Sequence, residues 1–230
     1  MTAPSTAPLV LVIEDELQIR RLLQITLESN GFSVTQAATG EEGVIRAGTD
    51  RPEAVVLDLG LPDTDGTEVL KKIRRQSTVP ILILSVRNTE HDIITCLEAG
   101  ADDYLIKPFR QGELAARIRS AMRHRPSLQE KGAIEAGPVT IDMDARVVKS
   151  RGEVVHLTGT EFSLLALFVR NAGKVLTHRY ILEQIWGPAF AEETQYLRVY
   201  VGQLRKKLEE NPSRPQLILT ESGIGYRFTG

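Results

Sequence analysis

Hydrophobic positions in the first half of the chain follow two spacings. Unbroken apolar runs stand at 9–13 (LVLVI), 54–57 (AVVL) and 81–84 (ILIL), with shorter mixed runs at 32–36 and 103–106. Such runs, rich in β-branched residues, suit strands buried on both faces. Between them apolar residues recur every three or four positions, as in Leu17, Ile19, Leu22, Leu23, Ile25 and Leu27. That spacing predicts helices over 16–29, 40–47, 66–75, 89–99 and 111–124, with Asn30-Gly31 and Gly100 as stop signals. Five strands alternating with five helices predict an α/β fold, a doubly wound five-stranded parallel sheet.

The pattern changes after residue 124. Residues 125–138 (RPSLQEKGAIEAGP) mix Pro, Gly, Ser and charges without a period, and read as a boundary running into a short strand. Short strands at 139–142, 145–149 and 153–156 predict a small antiparallel sheet. A helix starts at Thr158-Gly159-Thr160-Glu161 and stops at Asn171-Ala172-Gly173. A second runs from Thr177 or His178 to Trp186, and a third, longer one spans 193–210. Runs at 217–220 and 226–229 then flank a Gly-containing loop, as in a hairpin. Three helices followed by a hairpin outline an α+β winged-helix DNA-binding domain. The expected organisation is a disordered lead-in at 1–8, a first domain at 9–124, a linker at 125–132 and a second domain at 133–230.

Composition narrows the class. The 230 residues are 42% hydrophobic and 25% charged, ordinary values for a soluble globular protein. No apolar run approaches the ~20 residues of a membrane span, and MTAPSTAP lacks the basic start of a secretory signal. A cytoplasmic protein without a membrane partner is expected. The single Cys96 excludes an internal disulfide framework and a cysteine-based zinc site. The net charge of −2 is uneven: residues 1–124 hold 18 acidic and 14 basic side chains, residues 125–230 hold 12 and 14. An acidic pocket joined to a domain with a polyanionic partner fits that division.

Candidate chemistry sits at the carboxyl ends of the strands. Glu14 and Asp15 follow the first and Asp58 follows the third. Neighbouring strands in a doubly wound sheet would bring all three together, and their repulsion would recruit a hard, oxygen-seeking cation such as magnesium. Ser85 ends the fourth strand with a hydroxyl. Lys107 follows the fifth and precedes Pro108, across a bond that tolerates a cis peptide. Its ammonium could pair with Asp58 or with a phosphoryl oxygen. Singly, each residue has a plainer reading, as turn cap, turn hydroxyl or solvated lysine; their arrival at one edge points to a site. In the third helix of the second domain, Thr194, Gln195, Arg198, Gln203, Arg205 and Lys206 lie across from Leu197, Val201, Leu204 and Leu208. Arg198 could read guanine and Gln195 adenine in a major groove. Arg205 and Lys206 would meet phosphates, and Arg227 in the hairpin the minor groove or backbone. An isolated basic helix is more often only solvated.

These stretches resemble a known family. VIEDE, LDLGLPDTDG, LILSVR and GADDYLIKPF resemble the receiver domain of two-component response regulators, with its flavodoxin- or CheY-like fold. LTGTEFSLL, NAGKVLTHRYILEQIWG and GIGYRF resemble the winged-helix effector of the OmpR/PhoB class. TQYLRVYVGQLRKKLEE with ESGIGYRF is similar to regulators of potassium uptake, which work with a KdpD-like sensor histidine kinase. The resemblance implies that Asp58 accepts a phosphoryl group, with Mg2+ held by Glu14, Asp15, Asp58 and the Gly60 carbonyl. Ser85 would sense the group, Lys107 bind it, and Tyr104 act as an aromatic switch. The face from 89 to 124 would form a homodimer on phosphorylation through Asp102, Asp103, Glu113, Arg117 and Arg123. Ile93 departs from the pattern, standing where many relatives have a basic partner for Glu113. Residues 188–192 would meet RNA polymerase, and Ser222 stands where some relatives carry a wing-tip arginine. The implied function is phosphorylation-dependent binding to promoter DNA of potassium-transport genes, not an enzyme's. A small aspartyl-phosphate hydrolase would need an acid two residues after Asp58, where Gly60 stands. A nucleotide-binding domain would want a Gly-rich loop where Glu14-Asp15-Glu16 stands.

Overall fold

The computed structural model describes residues 7–123 and 132–230, except for the side chain of Arg123. Most of the expected lead-in and linker lies outside these described residues. The chain divides into two compact units, one ending at Met122 and the other beginning at Arg123.

The first unit is a parallel sheet of β1 (Leu9–Ile13), β2 (Ser33–Ala37), β3 (Ala54–Asp58), β4 (Ile81–Ser85) and β5 (Asp103–Ile106), in the order β2-β1-β3-β4-β5. Helices α1 (Leu17–Glu28), α2 (Gly40–Thr49), α3 (Gly66–Arg74), α4 (Glu90–Glu98) and α5 (Gln111–Arg123) connect and follow the strands. Every residue of β3 and β4 is buried, which is why their apolar runs do not alternate. On one face Val10, Val12, Val56, Leu82, Leu84 and Leu105 pack with Leu23, Leu27, Leu114 and Ile118. Each such side chain contributes about 1.5–3 kcal/mol by leaving water.

This topology builds the site. The chain runs from β1 outward to β2, then crosses back to β3 on the other side. The reversal leaves a crevice at the carboxyl ends of β1 and β3, where open α/β sheets bind ligands. Ile13 pairs with Leu57, so Glu14 and Asp58 emerge side by side. The loop after β3 is tied down: Asp63 accepts hydrogen bonds from the N–H groups of Gly40 (2.9 Å) and Glu41 (3.0 Å) at the start of α2. Those donors hold the Asp63 carboxyl below its ordinary range, as expected at a helix N-terminus. Gly66 must be bare, because a Cβ there would lie 2.4 Å from the Asp58 carbonyl oxygen.

The second unit opens with an antiparallel sheet of β6 (Ala133–Ala136), β7 (Val139–Asp142), β8 (Val147–Ser150) and β9 (Glu153–Val155), in that order. It has four strands where three were expected. Helix α6 (Gly159–Arg170) starts with a reciprocal capping box between Thr158 and Glu161, which satisfies two otherwise orphaned N–H groups. A further unexpected strand, β10 (Val175–Thr177), precedes α7 (His178–Ile185). A 3-10 turn at Pro188–Phe190 leads to α8 (Thr194–Leu208). The closing hairpin is β11 (Ile218–Glu221) and β12 (Gly225–Phe228), and β10 pairs with the far side of β12. Trp186 packs on Tyr200 and Phe190 on Tyr196, with ring centroids 5.1 and 6.2 Å apart, so the segment joining α7 to α8 is pinned to α8. Beyond α8, the Glu209 carboxylate accepts three backbone hydrogen bonds, from Gln216, Leu217 and Ile218, each 2.9 Å.

Candidate functional site

Glu14, Asp15, Asp58, Gly60, Ser85 and Lys107 line one cleft of about 310 Å³ at the carboxyl edge of the first sheet. The Lys107 ammonium lies 2.7 Å from Glu14 Oε2 and 3.3 Å from Asp58 Oδ2. The Lys107–Pro108 peptide is cis. Asp58 Oδ1 accepts a 2.8 Å hydrogen bond from the Leu59 N–H, which fixes the turn of its carboxylate. Burial pushes the Glu14 carboxyl up, against the lowering effect of the Lys107 hydrogen bond. Arg20 on α1 donates to the carbonyl oxygens of Glu14 (2.6 Å) and Asp15 (2.9 Å), clamping the acidic turn. Arg20 was not expected here; as one basic residue among polar helix positions, it gave no signal.

One carboxylate oxygen from each of Glu14, Asp15 and Asp58 can be chosen so that all lie within 4.8 Å of one another. Three carboxylates face one ammonium, so the cluster falls two positive charges short. The donors are hard oxygens, the set a magnesium ion takes, and one divalent cation supplies the missing charge. These residues therefore fit the implied ion.

A second group couples this cleft to α3 and β5. Ser85 Oγ accepts from the Arg87 N–H at 3.1 Å. The buried Tyr104 donates its hydroxyl to the Arg87 carbonyl at 2.7 Å, and burial raises its pKa, which keeps the hydroxyl a donor. The Arg87 guanidinium reaches Asp65, the N-cap of α3, at 2.9 Å. Arg87 thus binds through its N–H, its carbonyl and its side chain. Its only advance signal was a basic residue two positions after Ser85.

The expected dimer face is partly corrected. Asp102 is 2% exposed, bonded to the Arg74 guanidinium and to the Ile81 N–H. It staples α3 to the sheet and offers no surface for a partner. Its Asp-Asp context reads as polar loop, but its carboxylate turns inward to Arg74. Asp103 is withdrawn in the same way, 3% exposed: Arg117 donates to both its oxygens at 3.1 Å and to Glu113 at 2.8 Å, which leaves Glu113 and Arg117 as the reachable part of that face. Burial pushes the Asp103 carboxyl up to about 6, against the Arg117 charge. The Arg123 side chain lies outside the described residues.

In the second unit, Tyr196, Leu197, Tyr200, Val201, Leu204 and Leu208 form the buried side of α8. Gln195, Arg198 and Lys206 are exposed, with Thr194 and Gln203 half-buried. Arg205 is corrected. Its guanidinium donates to the Ile218 carbonyl (2.6 Å) and the Thr220 hydroxyl (2.8 Å) and lies 5.8 Å from the Tyr226 ring centre. It braces the hairpin against α8. Arg227 pairs with Glu221 at 2.5 Å, so its charge is met within the hairpin.

Residues 10–119 match the family described as response regulator receiver domain, and residues 152–228 that described as transcriptional regulatory protein, C terminal. The chain is 50% identical over 220 residues to the KDP operon transcriptional regulatory protein KdpE of Escherichia coli K12, covering 95% of this chain and 98% of that one. It is 47% identical over 223 residues to the transcriptional regulatory protein KdpE of Mycobacterium tuberculosis H37Rv, covering 96% and 98%. Among solved structures it resembles the response regulator DrrB, a Thermotoga maritima OmpR/PhoB homolog, at 30% identity and a TM-score of 0.52, covering 97% of this chain and 99% of DrrB. A point variant of RitR is similar at 26% identity and a TM-score of 0.79, covering 97% and 100%. Identity of this order, over nearly the whole of both chains, carries one conclusion: the protein belongs to the OmpR/PhoB class of two-component response regulators, transcriptional regulators whose action depends on phosphorylation.

Proposed function

We propose that Asp58 is the phosphoacceptor. The observation that carries this is its carboxylate, fixed by Leu59 N–H and set between Lys107 and two further acids. An Asp58 oxygen attacks the phosphorus of a phosphohistidine on a sensor kinase. The phosphorus–nitrogen bond breaks, the imidazole leaves and an acyl phosphate forms. Glu14, Asp15, Asp58 and the Gly60 carbonyl would hold Mg2+, which would supply positive charge to the phosphoryl group. Lys107 shifts an ammonium hydrogen bond to a phosphoryl oxygen, and Ser85 turns its hydroxyl to another. Because Ser85 Oγ also holds Arg87, its turn bears on Tyr104 and on the face of α4, β5 and α5.

That face, through Glu113 and Arg117, then joins a second copy. Dimerisation places two DNA-binding units on two half-sites and raises affinity through effective concentration. Thr194, Gln195, Arg198, Gln203 and Lys206 of α8 enter the major groove, and the pinned turn at 188–192 is offered to RNA polymerase. The E. coli relative is named for the KDP operon, which supports potassium-transport genes as targets and a KdpD-like kinase as donor. Leu17, Leu22 and Ile25 stand exposed on α1 beside the acidic turn, a surface a kinase could cover. The protein acts in the cytoplasm; among the described residues no helix is long and apolar enough to cross a membrane.

The test uses beryllium fluoride with Mg2+, which mimics the phosphoryl group. Wild type should double in mass in solution and bind promoter DNA more tightly, and Asp58→Asn should do neither. A variant that responds as wild type does would remove Asp58 from the role.

A further inference from the structure

We propose that Gly202 is a point of close approach between α8 and the DNA major groove, where bare backbone sets how deeply the helix seats. The proposal rests on the reading of α8 as the DNA-reading helix.

Gly202 lies in the interior of a 15-residue helix. An interior glycine disfavours folding roughly fivefold relative to alanine. Nothing within the described residues requires one there. A Cβ on Gly202 would meet no atom within 4 Å, and its φ is not positive. Gly66 and Gly225 differ: a Cβ on either would collide with backbone, at 2.4 and 1.8 Å. Those two glycines have reasons inside the fold. The reason for Gly202 lies outside it.

Its direction says where. The buried side of α8 runs through Tyr196, Leu197, Tyr200, Val201, Leu204 and Leu208. At 3.6 residues per turn, Gly202 falls close to the centre of the opposite side. It sits one turn from Arg198 and from Lys206, and two turns from Gln195. These three are exposed. A gap in the side-chain layer thus stands among the residues that would bond bases and phosphates. A Cβ there alone would hold the helix off by up to ~1.5 Å, one carbon–carbon bond. A shift of that size takes Gln195 and Arg198 out of hydrogen-bond range, since such bonds weaken beyond about 3.2 Å. Close approach of backbone to a ligand is one of the uses that favours glycine.

The test uses the full chain with Mg2+ and beryllium fluoride, and duplexes that wild type enriches from a randomised pool. Gly202→Ala should raise the unfolding midpoint of the second unit by about 4 °C, because alanine favours helix. The same variant should bind those duplexes at least about tenfold more weakly, with an unchanged salt slope, since no charge is removed. Gain in stability with loss of binding is the signature of close approach. Wild-type binding by Gly202→Ala, while Arg198→Ala weakens, overturns the proposal and leaves the reading of α8 standing. Wild-type binding by Gln195→Ala and Arg198→Ala as well overturns that reading with it. Loss of binding together with loss of stability also overturns the proposal, because it makes Gly202 a packing residue.

Discussion

Glu14 in the first unit and Glu209 in the second are both carboxylates withdrawn from water, 2% and 8% exposed, and they are served differently. Glu209 receives three backbone N–H groups at 2.9 Å. Elsewhere in the second unit, Glu161 takes the Thr158 N–H and the Lys207 ammonium. Glu14 has one long N–H contact, from Glu16 at 3.3 Å, and an ammonium it shares with Asp58. Burying charge is costly unless it is paired and hydrogen-bonded. The carboxylates that hold the fold together are saturated. Those at the acidic cleft are left short, and on the proposed function that shortage is what would let them take a cation and then a phosphoryl group.

Three substitutions test this contrast. The largest effect belongs to Asp102, a saturated carboxylate in the same unit as the cleft. Asp102→Ala strands the Arg74 charge and the Ile81 N–H, and should cost about 3–5 kcal/mol, the usual penalty for breaking a buried pair. Urea unfolding of the first unit reads it; a loss below about 1 kcal/mol would break the contrast. Next comes Glu209→Ala, which orphans three N–H groups and should cost roughly 2–3 kcal/mol. Its effect should fall on the unfolding of the second unit and leave Mg2+ binding by the first unchanged. The smallest effect has the opposite sign. Without Mg2+, Asp58→Asn relieves like-charge repulsion and should stabilise the first unit by about 1 kcal/mol, as removal of functional strain commonly does. Adding Mg2+ should then stabilise wild type more than the variant. Destabilisation by Asp58→Asn would make Asp58 a structural residue and cancel the distinction.

Much of this was legible in the amino-acid order, and the limits have physical causes. Strands β1 and β5 fall at the expected residues because an apolar run bounded by turn-formers has few other solutions. The meeting of Glu14, Asp15, Asp58, Ser85 and Lys107 followed from topology, since parallel strands deliver their ends to one edge. Strand β6 was hidden in the mixed stretch 125–138, which reads only as a boundary running into a short strand, and β10 was missed because its three residues sit between two helices and exist as a strand through their partner β12. Asp102 was misplaced because a carboxylate looks the same in sequence whether it faces water or Arg74. Arg205 looked like a phosphate ligand, but its bonds to Ile218 and Thr220 come from a hairpin more than ten residues away. Gly202 gave no signal in the sequence, and the empty space around it is what separates it from Gly66.

Arg87 carries a last consequence. Through its N–H, carbonyl and guanidinium it ties together Ser85, Tyr104 and Asp65. A loop fastened at three points cannot yield at one without loading the others, so intermediate positions are poorly populated. If Ser85 switches as proposed, each molecule would then be in one form or the other, and a stronger stimulus would change how many have crossed. On that reading, the cell would count molecules and not degrees of response.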